Sequence, residues 1–240
     1  MDNNSDPSAE SEFVERSSTG SRIPLELLAP AGDEAALAAA LEAGADAVYF
    51  GLTVLNARRR AANFTQQQLP EAIRKIHERG ARAYLTLNID LTERELERAA
   101  KVLQLASQAG CDAVLVRDPG LLRLRAEYPE MEFHFSTQTC MASSADVAAA
   151  ANLGADRVVL AREMTLEEIR AASSVADIAT EVFVQGALCF SVSGRCLMSS
   201  WIGGRSGNRG SCASPCRIPW QASDPTHPVS FSMHDLAAAE

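Results

Sequence analysis

Apolar residues gather along this chain in short, continuous runs, and the stretches between those runs carry them at helical spacing. The runs LELLAP (25–30), AVYFG (47–51), RAYLTLN (82–88), AVLVRD (113–118), EFHFSTQ (132–138), RVVLA (157–161), EVFVQG (181–186) and VSFSM (229–233) predict β-strands. Helical periodicity covers 33–43, 69–79, 93–109, 145–153 and 165–174. Strands that are apolar throughout, alternating with helices, specify a parallel sheet covered by helices.

A repeated junction supports this alternation. Gly44-Ala-Asp-Ala-Val48, Gly80-Ala-Arg-Ala-Tyr84, Gly110-Cys-Asp-Ala-Val114 and Gly154-Ala-Asp-Arg-Val158 each close a helix with a glycine and open a strand. Glycine takes the left-handed conformation that ends a helix at no steric cost. Eight strands in this order are the count of a (β/α)8 barrel of the TIM type. A doubly wound open sheet is the competitor, but no G-x-G-x-x-G follows the first strand. Residues 1–22 have no apolar core and read as a disordered tail, leaving 23–240 as the barrel domain. The chain stops at 235–240 in what reads as the first turn of an eighth helix, so a C-terminal domain is expected to be missing.

Barrel enzymes carry their chemistry at the C-terminal ends of strands and in the loops that follow. That rule selects Asn56 and Arg58, Asn88, Arg117 and Asp118, Ser136 to Gln138, Arg162 and Glu163, and a long loop, 187–220, after the seventh strand. A connection of that length inside a compact domain is usually functional. It holds Cys189, Cys196, Cys212 and Cys216, four of the six cysteines in the chain. Residues 182–222 contain no Asp or Glu but include Arg195, Arg205, Arg209 and Arg217, in a protein of formal net charge −9. Nearby cations favour thiolate, the form that binds soft metals.

Three readings of the quartet stand side by side. Iron–sulfur ligation tolerates irregular spacing. Structural zinc prefers two close pairs, and only Cys212 and Cys216 approach one. Disulfides need an oxidising compartment, and the absence of a secretory signal points instead to the cytoplasm. No run of apolar residues is long enough to span a membrane. Cys111 falls at the opposite end of the barrel as a buried structural thiol; Cys140 lies on the functional face, where it reads as core first and as an alternative ligand second. The histidines form no H-E-x-x-H pair: His77 reads as solvated on an outer helix and His134 as a satisfied core residue.

The segment Glu181-x-Phe183-x-x-Gly186-Ala187-Leu188-Cys189-x4-Gly194-x-Cys196-x-Met198-Ser199 resembles the signature of the collagenase-like U-32 peptidase family at every defined position. Leu27 to Gly32, Gly44 to Gly51, Asn56-Ala-Arg58, Tyr84 to Asn88 and Ser136-Thr-Gln138 are similar to further blocks of that family, in order. The resemblance implies one of several activities. Some members bear a peptidase label. Others are iron–sulfur proteins that install hydroxyl groups without molecular oxygen, on a transfer RNA wobble uridine or a large-subunit ribosomal RNA cytidine, with prephenate as hydroxyl donor. A further branch works with a paralogous partner subunit in ubiquinone hydroxylation.

By this resemblance Cys189, Cys196 and Cys212 are ligands of a [4Fe–4S] cluster. The fourth ligand of some members follows the last strand in a Lys-Asp-Leu-Cys setting. Here that place reads His234-Asp235-Leu236-Ala237, and Cys216 is the expected substitute. Arg58, Arg162, Arg195, Arg205 and Arg209 are candidates to clamp carboxylates or phosphates, because the guanidinium fork suits both. Asn88 and Gln138 are candidates to hydrogen-bond a base or hydroxyl, and Glu181 to anchor the base of the loop. The expected protein is an iron–sulfur RNA hydroxylase; a subunit of ubiquinone hydroxylation and a peptidase are the alternatives.

Overall fold

The computed structural model of the chain describes residues 25–186, 189–221 and 230–231. Seven strands form one parallel sheet in which each neighbours the next in sequence: β1 (Leu28–Ala31), β2 (Ala47–Gly51), β3 (Arg82–Leu87), β4 (Ala113–Val116), β5 (Glu132–Phe135), β6 (Arg157–Val159) and β7 (Ala179–Glu181). Helices α1 (Glu34–Glu42), α2 (Leu69–Glu78), α3 (Glu93–Gln108), α4 (Ser144–Asn152) and α5 (Leu166–Ala172) connect them. A 3-10 segment, Pro119–Glu127, replaces a helix between β4 and β5.

The two faces of the sheet bury different chemistry. Val48, Phe50, Leu85, Leu87, Val114, Val116, Phe133 and Phe135 face the helices, where they join Leu69, Ile73, Ile76, Val102 and Leu103 in the main core. Alternate positions (Ala47, Tyr84, Ala113, Leu115 and Val159, with Leu28 and Tyr49) form a second, smaller cluster. That is the inside of a curled sheet, where strand periodicity of two separates interior from exterior.

The repeated junctions have a second role besides the glycine turn. Gly44, Gly80, Gly110 and Gly154 all take positive φ. Two residues on, Asp46, Asp112 and Asp156 accept backbone hydrogen bonds from Leu27, Ala83 and Phe133 at 2.7–2.9 Å. Each aspartate thus ties the strand it precedes to the previous strand at the N-terminal end of the sheet. Gly80 is followed by Arg82 instead, which pairs with Glu132 at 2.8 Å. His77 is exposed as expected and bonds Asp112 at 2.8 Å, joining this layer.

The curl brings distant strands together. Glu26, just before β1, contacts Arg157 of β6 at 2.5 Å and accepts from the Tyr84 hydroxyl of β3 at 2.8 Å. Burial would raise the Glu26 pKa, but the Arg157 and Tyr84 hydrogen bonds outweigh it and hold the carboxyl below its ordinary value. The His134 ring stands edge-on to Tyr84 with centroids 5.1 Å apart, and its Nε2 bonds Glu132 at 2.8 Å. Its Nδ1 is buried without a partner, so His134 is a core residue only half satisfied.

The expected eighth barrel strand is not part of this sheet among the described residues. Ser230–Phe231 (β9) pairs antiparallel with Trp220–Gln221 (β8) as a separate ribbon. The seventh strand also differs, ending at Glu181, with Val182, Phe183 and Val184 exposed beyond it. Among the described residues no sheet buries that run. Cys111 is buried as expected; its thiol donates to backbone carbonyls at 3.2 Å, and burial pushes its pKa up to about 12.

Candidate functional site

The loop after β7 lies against the strand ends and is pinned on two sides. On one side Gly194, with φ +68, sits on the backbone of Gln138, where a Cβ would fall 1.9 Å from the carbonyl oxygen. Ser193 beside it donates from its amide to Glu163 at 2.8 Å. Arg162 spreads its guanidinium over the same stretch, donating to the Ser193 hydroxyl and to the carbonyls of Cys189 and Ser191 at 3.1–3.3 Å.

On the other side Gly210, with φ +75, meets the carbonyl of Asn56, 2.2 Å from where its Cβ would stand. Arg209 reaches the carbonyl of Asp90 and both oxygens of Glu95 at 2.7 and 2.8 Å. Arg59 donates to the Ser211 hydroxyl at 3.1 Å. Between these pins the loop folds a short helix, α6 (Met198–Gly203), whose Ser199 hydroxyl accepts from Ala213. Only glycine fits either close approach, since left-handed φ and lack of space exclude a side chain independently.

The receiving surface is itself preorganised. Asn56 is buried, donates to Leu52 and Asn63, and accepts from the Arg58 amide at 3.0 Å. Asn88 accepts from the Ala57 amide at 2.9 Å and reaches the Ser136 hydroxyl at 3.4 Å. Arg117 pairs with Asp90 at 2.5 Å and touches Gln138 at 3.4 Å.

The sequence-predicted residues therefore divide. Arg162, Arg209 and Asn88 have their polar atoms committed to holding loops, and Gln138 carries Gly194 on its backbone. Arg58, Arg195 and Arg205 are exposed, and their guanidinium groups have no hydrogen-bond or ion-pair partner among the described residues. Those three remain free to meet a ligand. Sequence reasoning passed over Asn63, Glu95, Ser193 and Ser211 because their role is visible only once the loop is seated.

All four loop cysteines are free thiols, Cys189 and Cys212 exposed, Cys196 and Cys216 half-buried. Burial raises the Cys216 pKa, and the nearby Cys189 and Cys212 raise it further. Cys212 Sγ accepts a hydrogen bond from the Ser214 amide at 3.3 Å, the kind of contact that stabilises a thiolate. Among the described residues no three His, Cys, Asp or Glu side chains converge closely enough to hold a metal ion. The donor chemistry thus fits a thiolate-bound centre, with the thiols gathered in one loop but not drawn together. Cys140, buried with φ 58 beneath the loop, belongs to the core as expected.

Beneath the mouth sit two ionisable groups. Glu181, at the end of β7, has its pKa raised by burial to about 7, with Arg157 at 3.6 Å opposing the shift. One of its oxygens is buried without a hydrogen bond. Tyr49 is also raised, by burial first, while the charge of Arg58 lowers it and that of Glu181 raises it.

No helix among the described residues is long and apolar enough to cross a membrane. The chain is 39% identical over 214 residues to a 23S rRNA 5-hydroxycytidine synthase of Escherichia coli, covering 89% of this chain and 32% of that protein. It is 39% identical over 194 residues to tRNA hydroxylation protein P of the same organism, covering 80% and 43%. An uncharacterized protease of Methanocaldococcus jannaschii is 38% identical over 216 residues, covering 88% and 53%. The chain thus spans between about a third and about half the length of these relatives. A solved U32 peptidase shares the fold with a TM-score of 0.57 at 16% identity, covering 70% of this chain and 71% of that one. The model of peptidase family U32 matches residues 32–240, taking in β2 to β7, their helices and the pinned cysteine loop together, and the chain belongs to that family.

Proposed function

We propose that this chain is the barrel of an oxygen-independent RNA hydroxylase, acting on a transfer RNA uridine or a ribosomal RNA cytidine with prephenate as hydroxyl donor. The observation that carries the reading is the match, over 80% and 89% of the chain, to two proteins named for hydroxylating RNA. Cys189, Cys196, Cys212 and Cys216 would hold a [4Fe–4S] cluster, which when bound supplies one-electron chemistry.

The chain's own residues do the rest. Arg162 and Arg209 fix the loop. Arg58 and Arg195, unpartnered at the mouth, attract an anionic co-substrate by charge. Glu181, close to half-protonated at neutral pH, can give or take a proton beneath them. Unpaired RNA bases enter such a pocket more readily than paired ones, because they are already free of a stack. The reading places the protein in the cytoplasm, where thiols stay reduced.

The test is mass spectrometry of nucleosides from digested RNA of deletion and complemented strains. Loss of a hydroxylated pyrimidine on deletion and its return on complementation are expected. Unchanged nucleosides in both RNA classes would overturn the reading. Lost anaerobic quinone synthesis would then favour the ubiquinone branch with its partner subunit, and specific peptide cleavage by cluster-free protein would favour the peptidase.

A further inference from the structure

A cavity of about 330 Å³ lies between the loop that follows β2, the first turns of α3 and the far end of the cysteine loop. Four arginines line it, Arg59, Arg98, Arg205 and Arg209, against the single carboxylate of Glu95. Glu95 is spent on Arg209. Arg59 meets only the neutral hydroxyl of Ser211, and the guanidinium groups of Arg98 and Arg205 have no partner among the described residues. Three uncompensated cations therefore share one concavity in a chain of net charge −9.

Like charges in a cleft repel one another and focus the field outward, an arrangement that favours an anion. Trp201, on α6 three residues before Gly204 of the cavity wall and so one helical turn from it, is 84% exposed. Arginines next to an exposed indole are the parts with which proteins grip a single strand: phosphates on the guanidinium groups, a base on the ring.

We propose that this cavity binds a backbone phosphate of single-stranded RNA, with a flanking base stacked on Trp201. The proposal rests on the RNA reading above and adds a second contact surface, apart from the cysteines. The substrate strand is held here while its target base is presented at the mouth.

The test uses the whole chain and a single-stranded RNA of about 12 nucleotides, titrated by fluorescence anisotropy across a salt series. Arg98→Ser and Arg205→Ser should each weaken binding about tenfold and lower the salt slope by about 0.7, the contribution of one phosphate contact on a single strand. Trp201→Ala should weaken binding without changing the slope. Arg79→Ser, at the C-terminal end of α2 where the chain enters β3, at the end of the sheet away from the cavity, should change neither. Circular dichroism checks that each variant is folded.

Wild-type affinity retained in both arginine variants would overturn the cavity as the phosphate site while leaving RNA as the substrate. Binding of inorganic pyrophosphate but no RNA, lost in Arg98→Ser, would uphold the anion site and remove the RNA reading. Competition by malonate but not by pyrophosphate would assign the cavity to a dicarboxylate and overturn the proposal.

Discussion

Gly194 and the carbonyl oxygen of Gln138 approach so closely that a Cβ on Gly194 would stand 1.9 Å from that oxygen. The contact joins the cysteine loop to the end of β5, two strands away in the sheet, through backbone alone. Gly194→Ala should force the loop off its seat, because the clash is with backbone and the φ of +68 is unfavourable for alanine. A loss of about 1–3 kcal/mol in chemical denaturation is expected, with new protease cleavage inside 189–216. Gly210→Ala should do the same at the other pin. An unchanged denaturation midpoint and cleavage pattern would show that the loop is not held there.

Arg162→Lys tests the fan of hydrogen bonds. Lysine keeps the charge but cannot reach the carbonyls of Cys189 and Ser191 and the Ser193 hydroxyl in one plane. About 1–3 kcal/mol should be lost, with faster amide exchange at 189–193 and normal exchange in β2 to β4. If Arg162 served as a substrate clamp instead, exchange would stay normal and only activity would fall.

The cysteines are tested by metal content. Protein purified without oxygen should carry about four iron and about four sulfide per chain. Ala at Cys189, Cys196, Cys212 or Cys216 should strip the iron, whereas Cys111→Ala should leave it unchanged. Stoichiometric zinc without acid-labile sulfide would replace the cluster with a structural metal. Iron lost in Cys140→Ala but kept in Cys216→Ala would reassign the fourth ligand.

Two carboxylates set opposite limbs of a stability–pH curve. Glu95 is lowered from 4.5 to about 2, first by its hydrogen bonds with Arg209. Its contribution is present above pH 4.5 and lost as pH falls towards 2. Glu181 is raised from 4.5 to about 7 by burial. The folded chain holds that proton more tightly than the unfolded one, so its contribution is present below pH 4.5 and lost as pH rises through 7. Urea midpoints measured from pH 3 to 8 should show Glu95→Gln flattening the acid limb and Glu181→Gln flattening the rise-side loss between pH 4.5 and 7. A wild-type pH profile in Glu181→Gln would place its ordinary pKa back near 4.5.

The sheet was legible in the sequence because its signals are local. Each of Gly44, Gly80, Gly110 and Gly154 marks a turn by its own conformational freedom, and each apolar run marks a strand by its own burial. The seventh and eighth strands were harder, since Val182 to Val184 are as apolar as a strand and yet face solvent, and the pairing of Ser230 with Gln221 is decided by neighbours. The functional face could be placed, but the partners on it could not. Arg162 and Arg209 look like substrate arginines until Ser193 and Glu95, 31 and 114 residues away in sequence, are found beside them. His77 is exposed as its sequence suggests, and only the fold reveals Asp112, 35 residues on, as its partner.

Glu95 has two duties. It completes the capping box of α3 by accepting from the Thr92 amide and hydroxyl, and it receives Arg209 of the cysteine loop. The start of a helix and the seating of a distant loop thus share one carboxylate. Whatever draws Arg209 away releases Glu95 to its helix alone, and whatever protonates Glu95 loosens both partners together. The loop's position is therefore reported at the first turn of α3, where amide exchange would register its arrival and departure.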